Sequence, residues 1–158
     1  MIDSQCIFCQ IAAKSRSAYT VWEDRRHLAF LTPFPNTEGV TVVISKDHQS
    51  SDIFDVSPSV RAGIVTAATT VSELLKRAFP DVGRIGLVFE GFGVNHLHAK
   101  LFPMHGTNMK EWQPIRSKKI DRRYFDRYPG YLMTNDYSGI SEQQLTQTQV
   151  TIRAQQKE

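Results

Sequence analysis

The run Val94-Asn95-His96-Leu97-His98-Ala99-Lys100-Leu101-Phe102-Pro103 decides how this chain is read. On an extended strand, successive side chains point to opposite faces. Leu97, Ala99 and Leu101 then form an apolar face, and His96, His98 and Lys100 share the other. Alternate positions on that face lie about 7 Å apart by strand rise. Two imidazoles and an ammonium are costly to bury unpaired, and a plain exposed strand has no need of them. The pattern therefore points to chemistry on one face of a sheet whose other face is core. The reading requires the His98 ring to project into a cleft.

Working upstream, residues 85–89 form another apolar, β-prone run, separated from the histidine strand at 96–102 by Glu90-Gly91-Phe92-Gly93. Pro103 is expected to close that strand. One long helix precedes them. Ser57 suits its N-cap and Pro58 its first position, and Pro80 ends it. Within it Val60, Ile64, Ala67, Ala68, Val71, Leu74, Leu75 and Ala78 recur at three- and four-residue steps, an apolar stripe destined for the core. Residues 40–45 are β-branched and read as a buried strand. Thr32-Pro-Phe-Pro-Asn-Thr-Glu-Gly39 is a loop. The runs 19–23 and 28–31 form a hairpin around Asp24-Arg25-Arg26, which places His27 at the surface. A short helix covers 5–13. Downstream, the pattern predicts a short strand at 131–134 and a polar helix from about Ser141, anchored by Leu145, Val150 and Ile152. The order of elements gives an α+β fold: an antiparallel sheet with one long helix packed on a face.

Composition bounds the function. With 158 residues, 41 % hydrophobic and 22 % charged, the chain is neither a collagen, a disordered acidic tail nor a disulfide-rich miniprotein. No apolar run approaches a bilayer span, so no membrane partner is expected. The N-terminus lacks the basic-then-apolar pattern of a secretory signal, which makes the cytoplasm the expected location. A net charge of +3 is too small to argue for nucleic acid. Residues 116–127 are rich in Lys and Arg, but such a mixed run reads first as a solvated face. Its sharper reading is an electropositive rim for a phosphorylated substrate, and nucleic-acid binding is not expected. Cys6-Ile7-Phe8-Cys9 suggests metal or redox chemistry before a structural disulfide.

The histidine strand resembles the signature of the histidine triad (HIT) family, His-x-His-x-His followed by apolar residues, with Lys100 at the third histidine. Upstream, Cys6-Ile-Phe-Cys9-Gln-Ile, Trp22-Glu-Asp24, Leu28-Ala-Phe-Leu31 and Gly39-Val-Thr-Val-Val-Ile-Ser-Lys46-Asp-His48 resemble, in the same order, segments of bacterial HIT proteins. The resemblance divides the chain into a HIT domain at 1–110 and a C-terminal extension, 111–158, packing on the same domain. It implies a homodimer that binds a small nucleotide substrate. It also implies a nucleotide hydrolase or nucleotidyl transferase acting at the α-phosphate of nucleoside phosphoramidates or dinucleoside polyphosphates, through a nucleotidyl–histidine intermediate. By position the nucleophile is His98, with His96 and Lys100 beside it. The alternative is a nucleotide-binding regulatory module with weak or no catalysis.

The departures at Lys100 and Thr32 favour that alternative. Lys100 stabilises phosphoryl charge, but an ordinary lysine, titrating near ~10.4, is a poor proton shuttle at neutral pH. Thr32 stands where many members carry an aspartate that binds ribose hydroxyls. Gly93 stands where many carry a serine near the phosphate, although the backbone of Gly91 and Gly93 can still approach a phosphate closely. Thr32, Gly91, Gly93 and His105 are thus the substrate-binding candidates. His105 could supply the proton that Lys100 cannot, or be an exposed loop histidine. Bacterial members with a structural zinc use residues at the positions of Cys6, Cys9, His48 and His96, a closed set of two thiolates and two imidazoles. The alternative is two reduced cysteines packing as small hydrophobes, with His48 at the surface.

Overall fold

A computed structural model describes residues 5–115 and 139–156. Helix α1 (Ile7–Ala12) leads into strands β1 (Tyr19–Glu23), β2 (His27–Leu31) and β3 (Thr41–Ser45). Helix α2 (Pro58–Ala78) follows, then β4 (Arg84–Val88), β5 (His98–Met104) and helix α3 (Glu142–Arg153). The five strands form one sheet in the order β1-β2-β3-β5-β4, antiparallel throughout. The α+β reading therefore holds. The strand expected at 131–134 and the basic run at 116–127 lie outside the described residues.

Every residue of β2 and β3 is buried, because both faces of the sheet are covered. On one face Ala29, Leu31, Val43, Ala99 and Leu101 pack against Ile64, Ala67, Ala68, Val71, Leu74 and Leu75 of α2. Each large side chain buried there contributes roughly 1.5–3 kcal/mol relative to exposure. On the other face Leu28, Phe30, Val42 and Ile44 pack against Ile11, with Ile7 and Phe8 beside them. That double coverage is why the two strands read as continuous apolar runs rather than alternating ones.

The long helix forms where its stripe and stop signals place it. The Ser57 hydroxyl accepts the Val60 N–H at 3.3 Å, Pro58 occupies the first turn, and Phe79 before Pro80 is already extended. The histidine strand starts two residues later than expected and runs through Pro103. Beyond Leu101, β5 is no longer paired with β3 and keeps only β4, so a missing N–H is tolerated there.

Helix α3, the polar helix expected from about Ser141, joins α2 on the same face. Ser141 and Gln144 form a capping box. Leu145, Thr148 and Ile152 are its buried residues, whereas Val150, expected as an anchor, is 56 % exposed. The buried stripe follows the three- and four-residue spacing, and Val150 falls outside it. Polar side chains finish the docking. Thr148 Oγ1 donates to Glu38 Oε1, Gln149 Nε2 to the Thr20 carbonyl and Gln156 Nε2 to the Val21 carbonyl. No helix among the described residues is long and apolar enough to cross a membrane.

Candidate functional site

His98 opens β5, opposite Ile44 of β3, and Lys100 lies opposite Val42 on one side and Val88 of β4 on the other. Both therefore stand on the α1 face of the sheet, as alternation requires. The His98 Nδ1 donates to the His96 carbonyl at 2.7 Å. A carbonyl only accepts, so Nδ1 carries the hydrogen and the neutral ring keeps its lone pair on Nε2. Burial pushes the His98 pKa below the ordinary histidine value; the His96 carbonyl opposes that shift and the charge of Lys100 adds to it. The ring is thus a neutral base with a defined tautomer.

The ring does not sit open in a cleft. It is 2 % exposed, under the edge of the Phe8 ring, whose centroid lies 5.3 Å away. The same phenyl meets Phe30 at 5.7 Å and His96 at 5.8 Å, all edge-on. Apolar side chains between α1 and the sheet pack around the ring, which sequence periodicity alone does not reveal. A cavity of about 570 Å³ lies elsewhere, between Lys14, Arg16, Trp22 and Arg153 at the β1 edge.

Lys100 does not stand alone. Its Nζ donates to Glu90 Oε2 at 3.1 Å, with side-chain exposures of 25 % and 13 %. Glu90 lies two residues past the end of β4, in the loop back to β5. Sequence reading treated it only as part of a separator; its signal was a lone carboxylate ending an apolar strand beside a lysine-bearing one.

Four metal-ligating side chains converge behind His98. One ligand atom each from Cys6, Cys9, His48 and His96 lies within 4.8 Å of all the others. Cys6 is the N-cap of α1 and Cys9 sits one turn in. The His96 Nδ1 is 3.4 Å from Cys6 Sγ and 3.5 Å from Cys9 Sγ, and the His48 Nδ1 is 3.3 Å from Cys9 Sγ. A tetrahedral zinc with bonds near ~2.3 Å to sulfur and ~2.05 Å to nitrogen requires S···N edges of about 3.6 Å. The His96 Nε2 donates to the Ser45 carbonyl at 2.8 Å, which fixes its tautomer and turns the Nδ1 lone pair toward the two sulfurs. Burial also pushes the His96 pKa down, as a neutral ligand needs. The donor set, its closure and its outer hydrogen bond fit zinc. His96 lies just ahead of β5, and its ring meets Phe8 and the two cysteines of α1, so it stays on the α1 side of the sheet with His98 and Lys100 while turning its Nδ1 to this cluster.

The remaining candidates are more scattered. Thr32 follows β2, one residue past Leu31 with its N–H on the Val40 carbonyl, about 13 Å along the strands from the His98 row and two strands over. Its hydroxyl accepts the Phe34 N–H at 3.3 Å. Gly91 packs against the Ser51 carbonyl, and Gly93 has nothing within 4 Å of a built Cβ. His105 is not brought to the site: Nδ1 faces Asp81 at 3.1 Å, Nε2 donates to the Glu38 carbonyl at 3.1 Å, and the ring meets Phe79 past the end of α2. His27, expected at the surface, is buried. Its Nδ1 faces the Asp24 carboxylate at 3.2 Å and its Nε2 lies against Gly63 of α2.

A sheet carrying a tautomer-fixed histidine two residues from a lysine, with a Cys2His2 cluster behind it, defines a HIT-type protein. The comparisons agree. A HIT-like protein of Saccharolobus solfataricus is 30 % identical over 129 residues, spanning 77 % of this chain and 90 % of that one. A Hit-like protein from Bartonella henselae superposes with a TM-score of 0.67 at 19 % identity, covering 99 % and 100 % of the two chains. A Zn-bound histidine triad family protein from Mycobacterium smegmatis gives 0.58 at 22 %, covering 96 % and 92 %. No family model matches. The chain belongs to the HIT-like protein family.

Proposed function

We propose that the protein is a nucleotide hydrolase or nucleotidyl transferase in which His98 attacks the α-phosphorus of a bound nucleotide. The observation that carries this reading is the 2.7 Å hydrogen bond from His98 Nδ1 to the His96 carbonyl. It leaves Nε2 as a nucleophile that needs no deprotonation. Its neutral form is favoured at neutral pH by burial. Attack forms a bond from Nε2 to phosphorus and expels the leaving group; water then cleaves that bond and restores the ring. Holding the ring beside a bound phosphate makes the first step effectively unimolecular. Lys100 supplies positive charge to the phosphoryl oxygens. The open backbone at Gly93 and the hydroxyl of Thr32 are the candidate contacts to phosphate and ribose. Among the described residues the Nε2 atom has no protein partner, and no solvent-sealed side-chain nitrogen or oxygen lacks one, so Nε2 is not sealed from an incoming phosphate.

Cys6, Cys9, His48 and His96 are the residues that would hold a zinc ion, and a closed set of four protein ligands gives it a structural role. It would pin the N-terminus of α1, and with it Phe8, to the segment just before His98. The Zn-bound relative from Mycobacterium smegmatis supports this assignment. A homodimer is the expected assembly, and cytoplasm the expected location. The test is intact-protein mass spectrometry with diadenosine tetraphosphate and adenosine phosphoramidate. Wild type should turn over at least one and carry a transient nucleotidyl adduct, while His98→Ala should fold, bind nucleotide and do neither. Equal turnover by the variant would refute the assignment.

A further inference from the structure

The third position of the signature holds an ion pair where a proton-exchanging imidazole is the usual residue, and the histidines among the described residues offer no substitute. Lys100 donates to Glu90 at 3.1 Å in a partly buried setting. The hydrogen on His98 Nδ1 is spent on the His96 carbonyl. His96 gives its Nε2 hydrogen to Ser45 and turns its Nδ1 to the cysteines. His48 faces Cys9. His105 is engaged by Asp81 and Glu38, and His27 by Asp24. Among the described residues, then, the cleavage site has a fixed cation and no histidine at liberty to donate a proton.

We propose that Glu90 is a positioning residue that holds the Lys100 ammonium as a fixed electrostatic partner for a departing phosphate, so that the site takes nucleoside phosphate anhydrides in preference to nucleoside phosphoramidates. The proposal rests on the nucleotidyl transfer to His98 described above. In an anhydride, Nε2 forms its bond to the α-phosphorus as the bridging P–O bond breaks. The electron pair stays on the departing phosphate oxygen, an anion stable at neutral pH that Lys100 stabilises without proton transfer. In the second step water attacks phosphorus, the pair of the P–N bond returns to Nε2, and the proton passes to bulk water. In a phosphoramidate, the pair left on nitrogen must be protonated for the amine to leave, and general acid catalysis of such a step contributes about a hundredfold or more. Glu90 contributes through aim: a carboxylate in the loop after β4 holds the flexible lysine stem against the strand it crosses, at the level of Val88.

The experiment compares kcat/KM for diadenosine tetraphosphate and adenosine phosphoramidate, with nucleotide affinity and thermal melting as controls. Wild type should favour the anhydride by about a hundredfold. Lys100→His should shift the ratio toward the phosphoramidate by at least about tenfold. Glu90→Gln should lower kcat on the anhydride with little change in KM, and Glu90→Asp should recover part of it, a split that a purely structural ion pair would not give. The double exchange Glu90→Lys with Lys100→Glu should restore melting temperature but not turnover. Wild type cleaving the phosphoramidate as fast as the anhydride overturns the proposal even if Lys100→His does not fold. An unchanged ratio in a folded Lys100→His does the same. A His98 adduct formed equally from both substrates defeats this inference alone. No adduct and no turnover with either defeats the parent reading with it.

Discussion

Truncating Phe8 to alanine isolates the lid over His98. The ring makes three edge-on contacts, at 5.3, 5.7 and 5.8 Å, to His98, Phe30 and His96. Each such pair is worth about 0.5–1.5 kcal/mol beyond area. Truncating a fully buried phenylalanine costs about 3–5 kcal/mol. Phe8 is half-buried, and the cluster of Ile11, Leu28, Phe30, Val42 and Ile44 under it stays packed. The expected loss is therefore about 2–3 kcal/mol, or a fall of about 5–10 °C in melting temperature for a chain of this size. The same change admits water to His98. Its desolvation is relieved, so its pKa should rise toward the ordinary value of 6.5. Circular dichroism reads the melting, and peptide mapping after diethyl pyrocarbonate treatment reads the rate of His98 acylation, which should increase. A melting temperature within about 1 °C of wild type, together with unchanged His98 reactivity, would show that Phe8 neither packs on the ring nor shields it.

Stability should depend on pH through the two buried histidines. Both His96 and His98 have pKa values pushed below 6.5 by burial, so the folded state binds fewer protons than the unfolded one. Their contribution is complete above about pH 6.5 and is lost as pH falls through the lower folded values. Urea midpoints should therefore decline below that point, with release of a metal from His96 acting in the same direction. Glu23, whose pKa is lowered from 4.5 by hydrogen bonds from Lys46 and Lys14, should act only in more acidic solution. A midpoint that is flat or rising toward pH 5.5 contradicts this account. Gly39 has φ +82°, and a Cβ there would lie 2.5 Å from the Phe79 ring. Gly39→Ala should cost about 3 kcal/mol from overpacking and backbone strain together. Gly93→Ala, at φ +83° but facing open space, should cost only about 1–2 kcal/mol, and equal losses would show that the Phe79 contact is unimportant.

Much of the scaffold is legible because local rules and packing agree. Ser57, Pro58 and Pro80 bracket α2, and its apolar stripe is its buried face. Ser141 caps α3. The strand containing His98 is found by alternation, and the Cys6, Cys9, His48, His96 set by resemblance and then by geometry. What escapes the sequence depends on partners distant along the chain. Periodicity assigned His96 to the strand, but Ser45 and the cysteines draw it out. Pro103 continues a strand because its former neighbour has already ended. His27 is buried because Gly63 leaves room for its ring. The Glu90–Lys100 pair and the Phe8 lid are tertiary contacts, and no spacing rule reports them.

Gln149 on α3 and Gln156 just beyond it, which reach the carbonyls of Thr20 and Val21, have a consequence for assembly. They occupy acceptors on the outermost strand at one side of the sheet, next to the irregularity between Thr20 and Trp22. That side is blunted against intruding strands. At the opposite side β4 borders β5 alone among the described residues. A sheet with one blunted margin and one bare margin can be extended by a second copy once, and the joined pair then presents only blunted margins. Such an arrangement terminates at two and cannot propagate into a fibre.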